Sequence, residues 1–346
     1  MRRDLFEADH EAYRDSLRAF LAKHVTPHYA QWDSDGIVPR ELFAQFAELG
    51  AFACVPEEYG GAGIDDIRFS AVLAEESARA AVVPATMGVA LQADVVMPYF
   101  LRGANDEQKA RWLPGIAAGE LITAIAMTEP GTGSDLAGIR TRAERDGDHY
   151  VVNGAKTFIT NGINADLVVT AVRTGPDPHA GLSLLVIERD TPGFTRGRNL
   201  DKVGLHAQDT AELIFTDARV PAANLLGNEG DGFGALTHNL AKERVWCAMS
   251  ATAQAAVALD WTIAYARERT AFGKPLGALQ ATRMRLAELA TEVDIAQQYV
   301  DRCLLALNAG ELTVVDAAKA KWWTTELQGR VIDACVQLHG GYGYML

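Results

Sequence analysis

The sequence is short of cysteine, of long apolar runs and of positive charge, and each shortage removes a class of protein. Cys54, Cys247, Cys303 and Cys335 are the only thiols in 346 residues. They are scattered, with no CxxC pair and no metal-ligand spacing. Buried reduced thiols are therefore expected, and neither a disulfide framework nor a metal site is proposed. Apolar runs such as Leu182 to Ile187 and Leu167 to Val172 fall far short of the ~20 residues that span a bilayer, so no transmembrane segment is expected. Lys and Arg number 32 against 45 Asp and Glu, a formal charge of −13. That balance repels phosphate backbones, and no nucleic acid partner is expected. Met1-Arg2-Arg3 leads into Asp4, Glu7, Asp9 and Glu11 instead of an apolar segment. No signal peptide is visible, and a soluble cytoplasmic protein is the simplest reading.

What is present suits a folded chain: 49% hydrophobic and 22% charged residues, over a length that allows two or three domains. From Asp4 to about Glu120 apolar residues recur at helical spacing, as in Tyr13, Leu17, Phe20 and Leu21 or Leu42, Phe43, Phe46 and Leu49. Breaks fall at Pro27, at Asp35-Gly36 and at Tyr59-Gly60-Gly61-Ala62-Gly63, with further helices near Phe69 to Arg79 and Met87 to Leu101. From about Leu121 to Gly232 the pattern changes to short β-rich runs: Ile122 to Met127, Tyr150 to Val152, Thr157 to Thr160, Leu167 to Val172, Leu182 to Ile187 and Glu212 to Phe215. Asn153-Gly154, Asn161-Gly162, Asp146-Gly147 and Pro192-Gly193 supply the turns between them. Helical spacing returns at Ala235 to Arg269, Leu279 to Asn308 and Thr313 to Leu338. The fold class is thus a multidomain α+β protein. An N-terminal helical domain (1–121) is followed by a middle β-barrel or sandwich domain (122–232) and a C-terminal antiparallel helix bundle (233–346).

Two segments carry most of the chemical information. In Met127-Thr128-Glu129-Pro130-Gly131-Thr132-Gly133-Ser134-Asp135, directly after the first strand, two glycines let backbone approach a flat or phosphorylated ligand, and the hydroxyls of Thr128 and Ser134 can bond to it. A plain turn would read the same way. Gly131-x-Gly133 resembles the start of a dinucleotide fingerprint, but position 136 is Leu and no βαβ unit follows; no P-loop motif occurs either. In Asn153-Gly154-x-Lys156-x-Phe158-Ile159-Thr160-Asn161-Gly162, an aromatic ring and a hydroxyl share one strand face, an arrangement that suits one side of an isoalloxazine. By pattern alone Phe158 fills the β core. Glu243, between Lys242 and Arg244, reads by pattern alone as a surface ion-pair partner.

Together with Pro56-Glu57-Glu58-Tyr59-Gly60-Gly61, Arg269-Thr270-Ala271-Phe272-Gly273-Lys274 and Gln337-Leu338-His339-Gly340-Gly341-Tyr342-Gly343, these segments make the chain similar to the acyl-CoA dehydrogenase family of flavoproteins over essentially its whole length. Lys202 to Glu212 and Lys242-Glu243-Arg244 look closest to the long-chain branch. The resemblance implies FAD as cofactor, bound by Met127, Thr128, Gly133 and Ser134 from one side and by Phe158 and Thr160 from the other; Phe158 stands where many members have Trp. It also implies that Arg269, Phe272, Gln280, Gln337, Gly340 and Gly341 hold the pyrophosphate and adenosine, partly across a subunit interface. The implied reaction is α,β-dehydrogenation of an acyl-CoA thioester to the trans-2-enoyl-CoA. Glu243 takes the pro-R α-proton, hydride passes to flavin N5, and Arg244 and Ser134 lie at the substrate. The helix from Met87 to Leu101 would lie against the acyl chain, whereas its composition says only core helix.

An electron-transfer flavoprotein as acceptor and a homotetramer or homodimer are implied in the same way, within fatty acid β-oxidation. His206 and His339 need no catalytic role, and Trp322-Trp323 is expected to be packing. Family members continue past Gly343-Tyr344-Met345 into a Gly-Gly-Thr loop that offers a backbone donor to the thioester carbonyl; losing such a donor costs about 2.7 to 4 kcal/mol of transition-state stabilisation. This sequence stops at Leu346. The alternatives are an acyl-CoA oxidase-type flavoenzyme and a non-catalytic acyl-CoA-binding partner subunit.

Overall fold

The computed structural model describes residues 3–345. Helices occupy the chain as far as Ala117, strands run from Thr123 to Leu226, and helices return from Gly232 to His339. Contacts divide the chain into two compact units. One contains Phe20–Asp65 and Val82–Leu240; the other gathers the residues up to Ala19, Asp66–Ala81 and the chain from Ala241.

The first unit holds the sheet. Its strands are β1 (Thr123–Ala126), β2 (Arg142–Asp146), β3 (His149–Thr160), β4 (Leu167–Arg173), β5 (Leu182–Glu188), β6 (Phe194–Asn199), β7 (Thr210–Pro221) and β8 (Leu225–Leu226). They lie in the order β6-β7-β3-β2-β4-β5-β8, and β1 runs parallel to β4. Tyr150, Val152, Ile159, Val168, Leu185, Ile187, Leu213, Phe215 and Val220 form its buried core, where alternation along β3 and β7 turns one face inward.

Two departures from the sequence pattern matter here. Asn153-Gly154 is not a turn between strands; β3 runs through it as one twelve-residue strand. Gly154 sits at φ 149 in a bulge, where a Cβ would meet Thr141 Oγ1 at 2.5 Å, so glycine bends the strand without ending it. β2 and β6, both rich in charged residues, were not apparent in the pattern.

The same unit carries α2 (Tyr29–Asp35), α3 (Glu41–Glu48), α5 (Val83–Ala90), α6 (Met97–Gly103) and α7 (Asp106–Ala117). A π-helical turn, Leu91–Val96, joins α5 to α6, so the stretch expected as one helix from Met87 to Leu101 is helical throughout and mostly buried. Asn105 and Gln108 form a reciprocal capping box at the start of α7.

The second unit also holds α1 (Ala8–Phe20, as far as Ala19); in it α4 (Ile67–Arg79) and the long helices α8 (Gly232–Glu268, from Ala241 onward), α9 (Gln280–Asn308) and α10 (Val314–His339) bury two clusters. Leu5, Ile67, Ala71, Val245, Met249, Val300, Leu304 and Ala320 make one. Ala255, Leu259, Leu289, Val293, Leu327 and Val331 make the other. Asp66 caps α4 and Thr313 caps α10, each accepting a backbone N–H, which fixes where these helices begin. Of the Trp322-Trp323 pair expected as packing, Trp323 packs against the second cluster whereas Trp322 is 62% exposed. Cys303 and Cys335 are buried, whereas Cys54 and Cys247 are only half-buried. No helix among the described residues is long and apolar enough to cross a membrane.

Candidate active site

In the sheet unit, β1 ends at Ala126 and the chain leaves it through Met127 and Thr128 into the glycine-bearing loop. The Thr157 N–H donates to the Thr128 carbonyl at 2.9 Å. This joins the loop to the stretch of β3 that bears Phe158 and Thr160. The structure therefore brings Met127 and Thr128, from the first of the two expected sets, beside the stretch of β3 that carries Phe158 and Thr160.

Register is lost between Lys156 and Ile159, and this second bulge changes the fate of Phe158. Its backbone is left-handed at φ 62 and its ring is 68% exposed. Simple alternation would have placed the ring in the core; the extra residue turns it outward. A bulky residue in this conformation is strained, and strain of this kind collects at ligand sites.

Further along the loop, Gly133 and Ser134 are exposed. A Cβ at Gly131 or Gly133 would meet nothing within 4 Å, so the chain's own packing does not demand glycine there. The Thr128 N–H has no partner among the described residues. An outward aromatic ring, an open glycine backbone and a spare amide donor fit a flat heteroaromatic group such as a flavin.

A buried ion pair lies beneath this surface. Lys156 is 0% exposed; its Nζ donates to Glu129 Oε1 at 2.8 Å and to the Met127 carbonyl at 3.0 Å. Glu129 also accepts the N–H groups of Arg140 at 2.8 Å and Thr141 at 2.9 Å. Burial pushes the Lys156 ammonium down to about 8, against the pull of Glu129. Burial works against the Glu129 carboxylate, but Lys156 and the two N–H groups outweigh it and hold it below the ordinary carboxylate range. Neither residue was given a role from the sequence. The available signal was a lysine inside a strand at an inward position, with its partner 27 residues earlier.

In the helical unit, Glu243 and Arg244 are half-buried on α8. Their neighbours Val245 and Ala248 enter the core. One turn on, Cys247 is held above the ordinary thiol range, chiefly by burial, with Lys321 opposing and Glu243 adding to it. The other expected residues gather beyond the opposite end of α8. Phe272 and Gly273 form the left-handed turn of a hairpin between β9 (Thr270–Ala271) and β10 (Lys274–Pro275), with the Phe272 ring 91% exposed. The Arg269 guanidinium lies 5.7 Å from the Tyr342 ring centroid, which brings it to the turn containing Gly340 and Gly341. Gln280 opens α9 and Gln337 lies in the last turn of α10, both exposed. His339 stacks on Tyr265 at 4.2 Å.

At a rise of 1.5 Å per residue, Glu243 and the end of α8 are separated by roughly 37 Å of helix. Within one chain, the Arg269 cluster and Glu243 therefore do not share a site. A cavity of about 510 Å³ beside α6, lined by Tyr99, Arg102, Leu184, Leu226, His238 and Asn239, contains none of the expected cofactor or catalytic residues.

Three family models match the chain: acyl-CoA dehydrogenase N-terminal domain over residues 7–120, middle domain over 124–218 and C-terminal domain over 230–346. The chain is 41% identical to a long-chain specific acyl-CoA dehydrogenase of Sus scrofa, over 99% of its own length and 80% of the relative's. An acyl-CoA dehydrogenase structure from Geobacillus kaustophilus superposes with a TM-score of 0.96 at 50% identity, covering 99% of this chain and 91% of that one. A glutaryl-CoA dehydrogenase from Mycobacterium smegmatis in complex with FADH2 superposes at 0.90 with 30% identity, covering 99% and 87% respectively.

Proposed function

Because the chain belongs to the acyl-CoA dehydrogenase family, we propose that it carries out FAD-dependent α,β-dehydrogenation of an acyl-CoA thioester to the trans-2-enoyl-CoA. The observation that carries this reading is the joining of Thr128 to the strand of Phe158 through one backbone hydrogen bond, beside a loop with open space at Gly131 and Gly133 and a Thr128 N–H that has no partner among the described residues.

In this reading Met127, Thr128, Gly133 and Ser134 hold the flavin on one side, and Phe158 and Thr160 on the other. FAD supplies the acceptor for the hydride that leaves the β-carbon. Glu243, half-buried on α8, takes the α-proton as general base. Arg244 orients the CoA moiety and Ser134 borders the thioester. The separation of Arg269, Phe272, Gln280, Gln337, Gly340 and Gly341 from Glu243 along α8 fits their service to the FAD of a second copy, in a homodimer or homotetramer. An electron-transfer flavoprotein accepts the electrons, and the domain limits 1–121, 122–232 and 233–346 belong to the same reading.

The test is an anaerobic titration of the purified protein with acyl-CoA thioesters of graded length while its visible flavin spectrum is recorded. Bleaching by one range of chain lengths is expected. A colourless protein that takes up no FAD would overturn the reading, and stoichiometric peroxide formed without an added acceptor would replace the dehydrogenase with an oxidase.

A further inference from the structure

Resting on that reading and deepening it, we propose that Lys156 is a positioning residue that strengthens the Thr128 N–H as a donor to the flavin, by holding an ammonium against the Met127 carbonyl. The Met127 carbonyl and the Thr128 N–H belong to one peptide group, in which charge drawn toward the oxygen leaves the N–H more positive. Lys156 Nζ sits 3.0 Å from that oxygen, and the Thr128 N–H has no partner among the described residues.

Strut duty alone does not account for the arrangement. Lysine is almost never fully buried, and an apolar residue of similar volume would pack β3 against the loop without desolvating a charge. A strut also needs no second bond to the carbonyl at the head of the loop. Glu129 has half of its hydrogen-bonding satisfied by the Arg140 and Thr141 N–H groups, so it balances the ammonium without drawing it off the carbonyl.

Two-electron reduction places negative charge on a flavin, and a stronger donor at its edge stabilises that state. Removing the ammonium should therefore weaken FAD binding and make the bound flavin harder to reduce. The experiment compares the full chain with two double variants, Lys156→Met with Glu129→Gln, and Lys156→Gln with Glu129→Gln; each avoids leaving a lone buried charge. FAD affinity and the midpoint potential of the bound flavin are measured for all three.

The Met variant should bind FAD about tenfold more weakly, the scale of one charge-assisted hydrogen bond. Its potential should move to a more negative value. The Gln variant, which keeps a neutral donor, should fall between it and the parent. If the Met variant retains no FAD, the Gln variant decides by the same criterion. Unchanged potentials overturn the proposal, even where affinity falls, because loosened structure alone would produce the weaker binding. Failure of the parent chain itself to take up FAD would show, before any variant is compared, that the family-based reading had failed and this proposal with it.

Discussion

Phe158 combines a 68% exposed ring with a backbone at φ 62, and the two together separate binding from folding. Glycine at this position would relieve about 1 to 2 kcal/mol of left-handed strain, offset by its greater freedom in the unfolded chain at about 0.5 to 1 kcal/mol. Phe158→Gly should therefore leave the melting temperature of the FAD-free protein almost unchanged while weakening FAD binding; a large loss of apoprotein stability would show that the ring serves packing instead. Asp66 is a contrasting residue, tied wholly to folding. It accepts the backbone N–H of Arg68 at 2.9 Å and further bonds from the Arg68 guanidinium, Asn308 and His10. Burial alone would raise its carboxyl, but these donors outweigh it and hold the group well below its ordinary range. The folded value is the depressed one, so the stabilisation is present above the ordinary carboxyl value of about 4 and is lost as pH falls toward the folded value. Asp66→Asn should cost about 1 to 3 kcal/mol at pH 7. In denaturant melts the gap to the parent should narrow at pH 3, and an equal gap at both values would remove the ionised carboxylate from the account.

Among the elements, β3 matters most, because its two bulges decide what the site presents. A methyl group at Gly154 would press on Thr141 backbone and side chain within 2.8 Å, at a φ that disfavours any side chain. Gly154→Ala should therefore cost about 2 kcal/mol or more in chemical denaturation, and a neutral result would mean that β2 and β3 yield freely. The Asn105–Gln108 capping box should be worth about 1 kcal/mol, measured as the stability lost in Asn105→Ala. These elements also show what the sequence makes legible. The long C-terminal helices announce themselves through sustained periodicity and through punctuation at Gly310 and Thr313, which are local signals. β2 and β6 do not, since Arg142–Asp146 and Phe194–Asn199 carry too many charges to show alternation. Phe158 was misread by alternation because one inserted residue reverses the facing of a strand. The Lys156–Glu129 pair depends on the loop after β1 meeting β3, which no local pattern encodes. The loop from Met127 to Ser134 was visible because its composition departs from what packing requires.

At the scale of the whole molecule, the helical unit is assembled from separate stretches of chain. Leu5, Ile67 and Ala71 enter its core beside Val245 and Val300, and Arg3 pairs with Asp301 at 2.6 Å. Residues 230–346 expressed alone should therefore expose an apolar face and fail to show a cooperative thermal transition by circular dichroism; a sharp transition would show that α4 and the N-terminal segment are dispensable. The functional account converges on one carboxylate. Glu243→Gln keeps the shape of the side chain and removes its capacity to accept the α-proton. Parent and variant, each loaded with FAD, should be titrated anaerobically with an acyl-CoA thioester that bleaches the parent. The account predicts a variant that remains yellow with its visible band intact, and full bleaching of the variant at the parent's rate would contradict it.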